Sequence, residues 1–102
     1  MTRYLVVNAD DFGYAEGVNR GIIAAHEQGV VLSTSLMVDA PQAKEAAALA
    51  AQHPCLGVGL HFTATNHVVP LFDLSNVATV ATELQRQYQR CCDLLGHPPT
   101  HL

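Results

Sequence analysis

The sequence predicts an α/β fold of parallel βαβ units, in a single domain that covers residues 1–102. Three observations predict it. Short runs rich in β-branched residues alternate with longer segments of helical periodicity, and glycine or proline stands between most of them. The connections are short, which favours parallel strands joined by right-handed helical crossovers. With 49% hydrophobic and 14% charged residues, the chain has the composition of a folded domain with one modest core.

The first predicted βαβ unit occupies the N-terminal part of the chain. Residues 4–8 are apolar and predict a buried strand, and residues 17–28 carry apolar side chains at helical spacing. Gly29 is expected to end that helix, because glycine readily takes the left-handed conformation of a helix C-terminus. Residues 30–38 are rich in β-branched side chains and predict the second strand.

The second predicted unit begins with an alanine-rich helix. Asp39 is expected to be its N-cap and Pro41 to stand in its first turn, and the helix is expected to end before Pro54. Residues 56–61 predict the third strand. Two glycines in that strand indicate that another part of the chain approaches its backbone closely.

The rest of the chain predicts an irregular connection, a long helix and the start of a further strand. Residues 63–75 form the connection, and the helix is expected over residues 76–95, ended by Gly96. Residues 100–102 predict the opening of a fourth strand, which leaves an open edge on the sheet. The helix carries an apolar stripe at three- and four-residue steps, formed by Val77, Val80, Leu84, Tyr88, Cys91 and Leu95.

Composition excludes several classes of function. The formal net charge is −4 and the five basic residues form no patch, so nucleic acid is not an expected partner. No apolar run approaches the ~20 residues that span a bilayer, so we expect no membrane insertion. The N-terminal residues lack the pattern of a signal peptide, so a cytoplasmic location is expected. Low charge and an open sheet edge favour a homo-oligomer, such as a dimer.

The three cysteines do not predict a metal or redox site. Cys91 and Cys92 are adjacent, Cys55 stands alone, and none belongs to a Cys-x-x-Cys pair. We therefore expect buried, unreactive thiols.

Two adjacent carboxylates, Asp10 and Asp11, follow the first predicted strand and precede Gly13. Adjacent carboxylates repel each other and resist burial, so the pair is costly unless a cation or a proton shares the site. Working residues of α/β proteins gather at the carboxyl ends of strands, which favours a metal site here. The alternative is structural, because aspartates after a strand also cap helices and fix turns.

His61 ends the third predicted strand and is expected to project into the same crevice as the two aspartates. Oxygen and nitrogen donors together suit a divalent zinc-like or magnesium-like ion. A catalytic zinc site uses three protein ligands, and the chain supplies two good candidates. His101, on the predicted fourth strand, is placed where it could also reach the site. The alternative for His61 is an ordinary hydrogen-bonded histidine near the surface.

Motifs along the whole chain resemble one known family. The segments 7–14 and 17–22, the serine-threonine strand at 33–37, the segment 56–61 and the closing 96–102 resemble, in the same order, the YdjC-like carbohydrate deacetylases. This family includes the chitooligosaccharide deacetylase and a member associated with hopanoid biosynthesis. The resemblance implies an irregular (β/α) barrel of the glycoside hydrolase and deacetylase type, of which these residues form the N-terminal part.

The resemblance also implies a chemistry and assigns residues to it. Asp11 and His61 would be ligands of a divalent metal ion, Mg or Zn, and Asp10 would be the general base. The substrate would be an amino sugar or a chitooligosaccharide that loses its N-acetyl group by hydrolysis. Because the third ligand of the family comes from a histidine-rich segment after residues 100–102, the resemblance predicts an N-terminal fragment and leaves its activity open. The family also has a longer connection before the third helix.

Two other functions are considered. A receiver-type phosphorylation domain also has paired acids after its first strand, but it needs an aspartate at the end of strand three and a later lysine. Here His61 ends that strand, and the only lysine, Lys44, is expected in a helix. The second alternative is a non-catalytic, incomplete barrel that pairs with a copy of itself through its open edge.

Overall fold

A computed structural model describes all residues 1–102 and confirms the α/β fold. Three strands form a parallel sheet in the order β1-β2-β3, and two short strands, β4 and β5, pair antiparallel in a separate hairpin. A helix connects each pair of neighbouring parallel strands, as in βαβ units. In chain order the elements are β1 Asn8–Phe12, α1 Glu16–Glu27, β2 Ser33–Leu36, α2 Ala43–Ala51, β3 Gly57–Leu60, β4 Thr65–Asn66, β5 Val69–Pro70 and α3 Val77–Leu95.

The core lies on one face of the parallel sheet. Phe12, Leu36 and Leu60, near the carboxyl ends of β1, β2 and β3, are almost fully buried there. Alanines of α2 and the thiol of Cys91 on α3 pack in the same cluster. The other face carries Asn8, Ser33 and Gly57, which stand opposite one another in the β1–β2 and β2–β3 registers. We call this second face the cleft face.

The prediction of a strand at residues 4–8 is wrong, because β1 begins at Asn8. Tyr4, Leu5 and Val6 belong to no strand, and 75–90% of each residue is exposed. Asn8 pairs with Ser33, the first residue of β2, so the residues before Asn8 have no neighbouring strand to pair with. Apolar, β-branched composition favours a strand only where a sheet partner and a packed face exist.

Asp39 is not the N-cap of α2, contrary to the prediction. The helix begins at Ala43, and its N-cap residue, Gln42, makes no side-chain capping bond. Asp39 instead forms ion pairs with Arg86 and with Arg90, whose Nε lies 3.3 Å from Asp39 Oδ1. The carboxylate thus ties the connection between β2 and α2 to the long helix α3.

The predicted third helix is confirmed with its end signals. Asn76 Oδ1 accepts a hydrogen bond from the backbone N–H of Thr79 over 3.0 Å, and Gly96 ends α3 with φ +78°. The apolar stripe is only partly covered: Cys91 is buried, whereas Val77 is 83% exposed and Tyr88 44% exposed. No helix is both long enough and apolar enough to cross a membrane.

The fourth strand predicted at residues 100–102 does not form, although this segment lies beside β3. Thr100 N–H donates to Val58 O over 2.9 Å, and Leu60 N–H donates to His101 O over 2.8 Å. Close approach to β3 is confirmed at Gly59, where a Cβ atom would stand 2.5 Å from Nε2 of His101. A glycine is required there because any side chain would collide with the imidazole.

The three cysteines lie in three environments, with Cys91 buried, Cys92 half-buried and Cys55 exposed. Cys91 is fully buried, and desolvation raises the pKa of its thiol to about 11, which confirms an unreactive group. Cys55 is exposed, so the expectation of burial is wrong for that residue.

Candidate active site

The cleft face borders an open cleft of about 330 Å³ at the carboxyl ends of the strands. Two residues predicted from the sequence, Asp10 and His61, lie in it, and His101 reaches it as well. The cleft is lined by Asn8, Asp10, Ser35, Leu60, His61, Phe62, His101 and Leu102. The strand-end position that the sequence predicted for these groups therefore holds in the structure.

Asp11 and His61 meet in space although 50 positions separate them in the sequence. Nδ1 of His61 lies 3.3 Å from Oδ1 of Asp11. That nitrogen is buried and makes no hydrogen bond. A buried nitrogen without a hydrogen bond costs about 1–3 kcal/mol, so Nδ1 of His61 is free to bind a further group beside Asp11.

The spacing of these two atoms fits a shared divalent cation. Neighbouring ligands lie about 3.4 Å apart around a tetrahedral ion with bonds of ~2.1 Å, and about 3.0 Å apart around an octahedral one. The observed 3.3 Å falls within that interval. One imidazole nitrogen and one carboxylate oxygen are also donors that both zinc and magnesium sites use. The spacing and the donor types of Asp11 and His61 are therefore compatible with a shared metal ion.

A β-bulge at the end of β1 directs both aspartates away from the core. Ala9 pairs with Thr34 and Phe12 pairs with Leu36, so β1 holds one more residue than β2 between the two pairs. Without that extra residue, successive side chains would alternate, and Asp11 would face the core. Asp11 takes φ +67° at the bulge. A positive φ costs a residue with a Cβ atom roughly 1–2 kcal/mol, so the surrounding structure must maintain it.

The turn after the bulge is held by bonds from two helices. Gly13 donates its N–H to Oδ1 of the fully buried Asn19 on α1, over 2.7 Å. Its carbonyl accepts the N–H of Gln42 at the start of α2, over 2.9 Å. Gly13 has φ +98°, and a Cβ atom there would stand 3.1 Å from Ala43 Cα and from Met37 O. The turn that carries the aspartates is therefore tightly enclosed.

The sequence did not single out Asn8 or the serines of β2 as residues of the site. Asn8 Nδ2 donates to Oδ1 of Asp10 and to Oγ of Ser35, each over 3.0 Å. Ser33 Oγ donates to Asn8 Oδ1 over 2.8 Å. The signal was available: Asn8 and Asp10 are two residues apart on a strand, and so are Ser33 and Ser35, which places each pair on one face.

Two candidate metal donors, Asp11 and His61, lie side by side. No group of three or more histidine, cysteine, aspartate or glutamate side chains converges to hold a metal ion. Asp11 and His61 are thus a pair of candidate ligands. Asp10 stands beside them with one carboxylate oxygen bonded to Asn8.

Comparison with known proteins identifies the family. Residues 4–102 match the profile of the family described as YdjC-like protein. A chitooligosaccharide deacetylase from Serratia marcescens is 40% identical over 124 aligned positions, which cover 100% of this chain and 49% of that protein. A carbohydrate deacetylase from Geobacillus stearothermophilus is 49% identical over 87 positions, 85% of this chain and 35% of that protein.

A solved structure agrees with the sequence comparisons. The protein, from Enterococcus faecalis and named provisionally for cellobiose-phosphate cleavage, superposes with a TM-score of 0.81 at 32% identity. The match covers 94% of this chain and 46% of that one. The parallel βαβ arrangement of the fold is therefore shared with this protein.

The chain spans about half the length of the curated relatives it matches. The alignment with the Serratia marcescens deacetylase extends over 124 positions against 102 residues here, so that relative has additional residues within the aligned region. This agrees with the expected longer connection in the family. The match gives no support to the receiver-type alternative. The chain's only lysine, Lys44, also lies in α2. By its profile over residues 4–102 and by these relatives, the chain belongs to the YdjC-like family.

Proposed function

We propose that the chain carries the metal-ligand and base part of a carbohydrate deacetylase site, which removes N-acetyl groups from amino sugars or chitooligosaccharides. Asp11 and His61 would hold the divalent ion, Zn or Mg, and Asp10 would be the general base. The relatives named as deacetylases support the reaction class. The observation that carries the proposal is the buried, unpartnered Nδ1 of His61, 3.3 Å from the carboxylate of Asp11.

The charges of the site support a cation at this place. Asp10 and Asp11 are adjacent carboxylates, and the neutral imidazole of His61 offers a lone pair at Nδ1. A cation between Asp11 and His61 would give the buried nitrogen a partner and would reduce the repulsion between the two acids. When bound, such an ion polarises a carbonyl oxygen and lowers the pKa of a bound water.

Asp10 would receive a proton from an attacking water. One of its oxygens accepts the amide N–H of Asn8, and the side chain borders the open cleft. The bond to Asn8 fixes the carboxylate while the second oxygen stays available as a base. Leu60 and Phe62 supply an apolar wall on the same cleft. The cleft therefore combines amide, hydroxyl, carboxylate and imidazole groups with apolar side chains. Such a lining suits an uncharged sugar ring and its acetyl group.

The metal assignment is tested by calorimetric titration of the chain with Zn²⁺ and, separately, Mg²⁺. We expect Asp11→Asn and His61→Ala each to weaken binding by at least about tenfold, because each removes one of two protein donors. Asp93→Asn and His97→Ala are matched controls, since both side chains lie outside the cleft. Equal dissociation constants for the site variants and the controls would refute the assignment.

The reaction is tested by acetate release from an N-acetylated chitooligosaccharide at saturating metal. A catalytic zinc site uses three protein ligands, and this chain brings two together, so we expect metal binding with little turnover. Any measurable turnover should fall at least about a hundredfold in Asp10→Asn, with the metal affinity unchanged. Turnover that survives this substitution would remove Asp10 from the role of base.

A second candidate function is self-association of a non-catalytic barrel portion. The observation that favours it is the exposed apolar run Tyr4, Leu5 and Val6, which leads into the unpaired edge of β1. Such an edge pairs readily with another strand. Light scattering after gel filtration should show a dimer that Leu5→Asp converts to monomer. A monomer for the parent chain at all concentrations would contradict this candidate.

A further inference from the structure

One amide on the cleft face joins four polar side chains from three parts of the fold. Asn8 Nδ2 donates to Asp10 Oδ1 and to Ser35 Oγ, each over 3.0 Å. Asn8 Oδ1 accepts from Ser33 Oγ over 2.8 Å and from Nε2 of His101 over 3.0 Å. Every hydrogen-bonding position of the Asn8 amide group is therefore used by a side chain.

The chemistry of these partners permits one arrangement of protons. An ionised Asp10 can only accept, so it must face the NH₂ group of Asn8. The amide oxygen then faces His101, whose Nε2 must carry the proton. In the neutral ring Nδ1 is left as an acceptor, and Thr100 Oγ1 lies 2.9 Å from it. The hydroxyl groups of Ser33 and Ser35 are compatible with this arrangement, because a hydroxyl can both donate and accept a hydrogen bond.

The contact between Asn8 and His101 crosses the sheet. Asn8 is on β1, and His101 lies beyond β3 on the opposite side of β2. Neighbouring strands are about 4.8 Å apart, so three strand spacings would separate the two backbones by roughly 14 Å in a flat sheet. The side chains of Asn8 and His101 meet over the sheet, and the imidazole passes over Gly59, where a Cβ atom would be 2.5 Å from Nε2. Small residues on β2 and β3 thus leave the path open.

We propose that Asn8 is a positioning residue that orients the Asp10 carboxylate and ties it to His101 across the cleft face. The positioning role rests on the proposed function of Asp10 as base, whereas the tie itself rests on hydrogen bonds alone. The hydrogen bond from Asn8 to Oδ1 of Asp10 leaves the other carboxylate oxygen, Oδ2, free. The bond to His101 fixes the C-terminal segment against the strand that carries the aspartates. Removing one bond should leave the other in place.

Two variants separate the two bonds. Asn8→Asp keeps an acceptor for His101 and replaces the donor to Asp10 by a repelling oxygen. Gly59→Ala keeps Asn8 and Asp10 unchanged and displaces His101, because the new Cβ would stand 2.5 Å from its Nε2 and 2.6 Å from its backbone oxygen. Neither changes Asp11 or His61, the proposed metal ligands. Asn8→Leu, of similar volume, removes both bonds and is the combined control.

The measurement is NMR of the metal-free chain at one pH at which His101 is neutral. In the parent chain we expect the Nε2–H tautomer of His101 and one pair of slowly exchanging amide proton signals from the side chain of Asn8. Asn8→Asp should shift the Asp10 carboxyl carbon and preserve the tautomer. Gly59→Ala should lose the tautomer preference and keep the Asn8 amide signal. Asn8→Leu should lose the preference and shift the carboxyl carbon, and backbone amide spectra establish that each variant is folded.

Two results would overturn the proposal. One is a predominant Nδ1–H tautomer of His101 in the parent chain. The other is an Asp10 carboxyl signal that is the same in Asn8→Leu and in the parent. Both are independent of metal titration and of acetate release, so a failure of the tie is distinguishable from a failure of the proposed function.

Discussion

Alanine in place of Gly13 should destabilise the fold more than alanine at any other glycine outside the sheet. Gly13 has φ +98°, where a side chain is strained, at a cost of roughly 1–2 kcal/mol. The new Cβ would also stand 3.1 Å from Ala43 Cα and from Met37 O, both backbone atoms of packed segments. Relieving such contacts costs typically about 1–3 kcal/mol. The two terms together predict a loss of about 2–5 kcal/mol.

Gly29 provides a matched control, because it has a similar φ of +89° and no atom within 4 Å of the position of a Cβ. Gly29→Ala should therefore show the backbone term alone, roughly 1–2 kcal/mol. Urea denaturation of the two variants and the parent measures both losses. A domain of this size has about 5–15 kcal/mol of stability in total, so Gly13→Ala should leave it marginally folded. If Gly13→Ala costs no more than Gly29→Ala, the steric part of this reasoning is wrong.

Three further outcomes can be measured on the same chain. Gly21→Ala should raise the free energy of unfolding by about 0.5–1 kcal/mol in urea, since Gly21 lies inside α1 with no atom near its Cβ position. Leu60→Ala should lower it by about 2–5 kcal/mol in the same assay, because Leu60 is almost fully buried in the core. The bonds from His53 to the Leu49 carbonyl and to Glu27 raise the pKa of His53 above 6.5. Its stabilising contribution should therefore be full below pH 6.5 and be lost as the pH rises through the raised pKa, and Glu27→Gln should weaken that dependence in thermal unfolding scans.

The sequence predicted best the features that local signals determine. The long helix α3 has an N-cap at Asn76 and a left-handed glycine at Gly96, and both signals are contained in the few residues at its ends. The first strand was misplaced because its start depends on the register with β2, where Asn8 meets Ser33. The partners of Asp39, two arginines of α3, lie about fifty residues away in sequence, and no local pattern indicates them.

The candidate site shows the same division. The proximity of Asp11 and His61 could be predicted from their positions at strand ends, because the carboxyl ends of parallel strands lie at one edge of the sheet. The faces that Asp11 and Phe12 occupy could not be predicted, because they depend on the bulge between Ala9 and Phe12, and a bulge is not visible in a single sequence.

The bulge in β1 also explains how one strand serves the core and the site at once. Regular alternation would allow only one of two neighbouring side chains to leave the core, so a strand ending in two aspartates and Phe12 would bury a carboxylate or expose the aromatic ring. The extra residue at Asp11 lets Phe12 enter the core beside Leu36. The cost is a positive φ at Asp11, which the bonds of Asn19 and Gln42 to Gly13 maintain from outside the strand. Because these bonds come from the chain's own residues, the fold itself holds the carboxylate of Asp11 near His61.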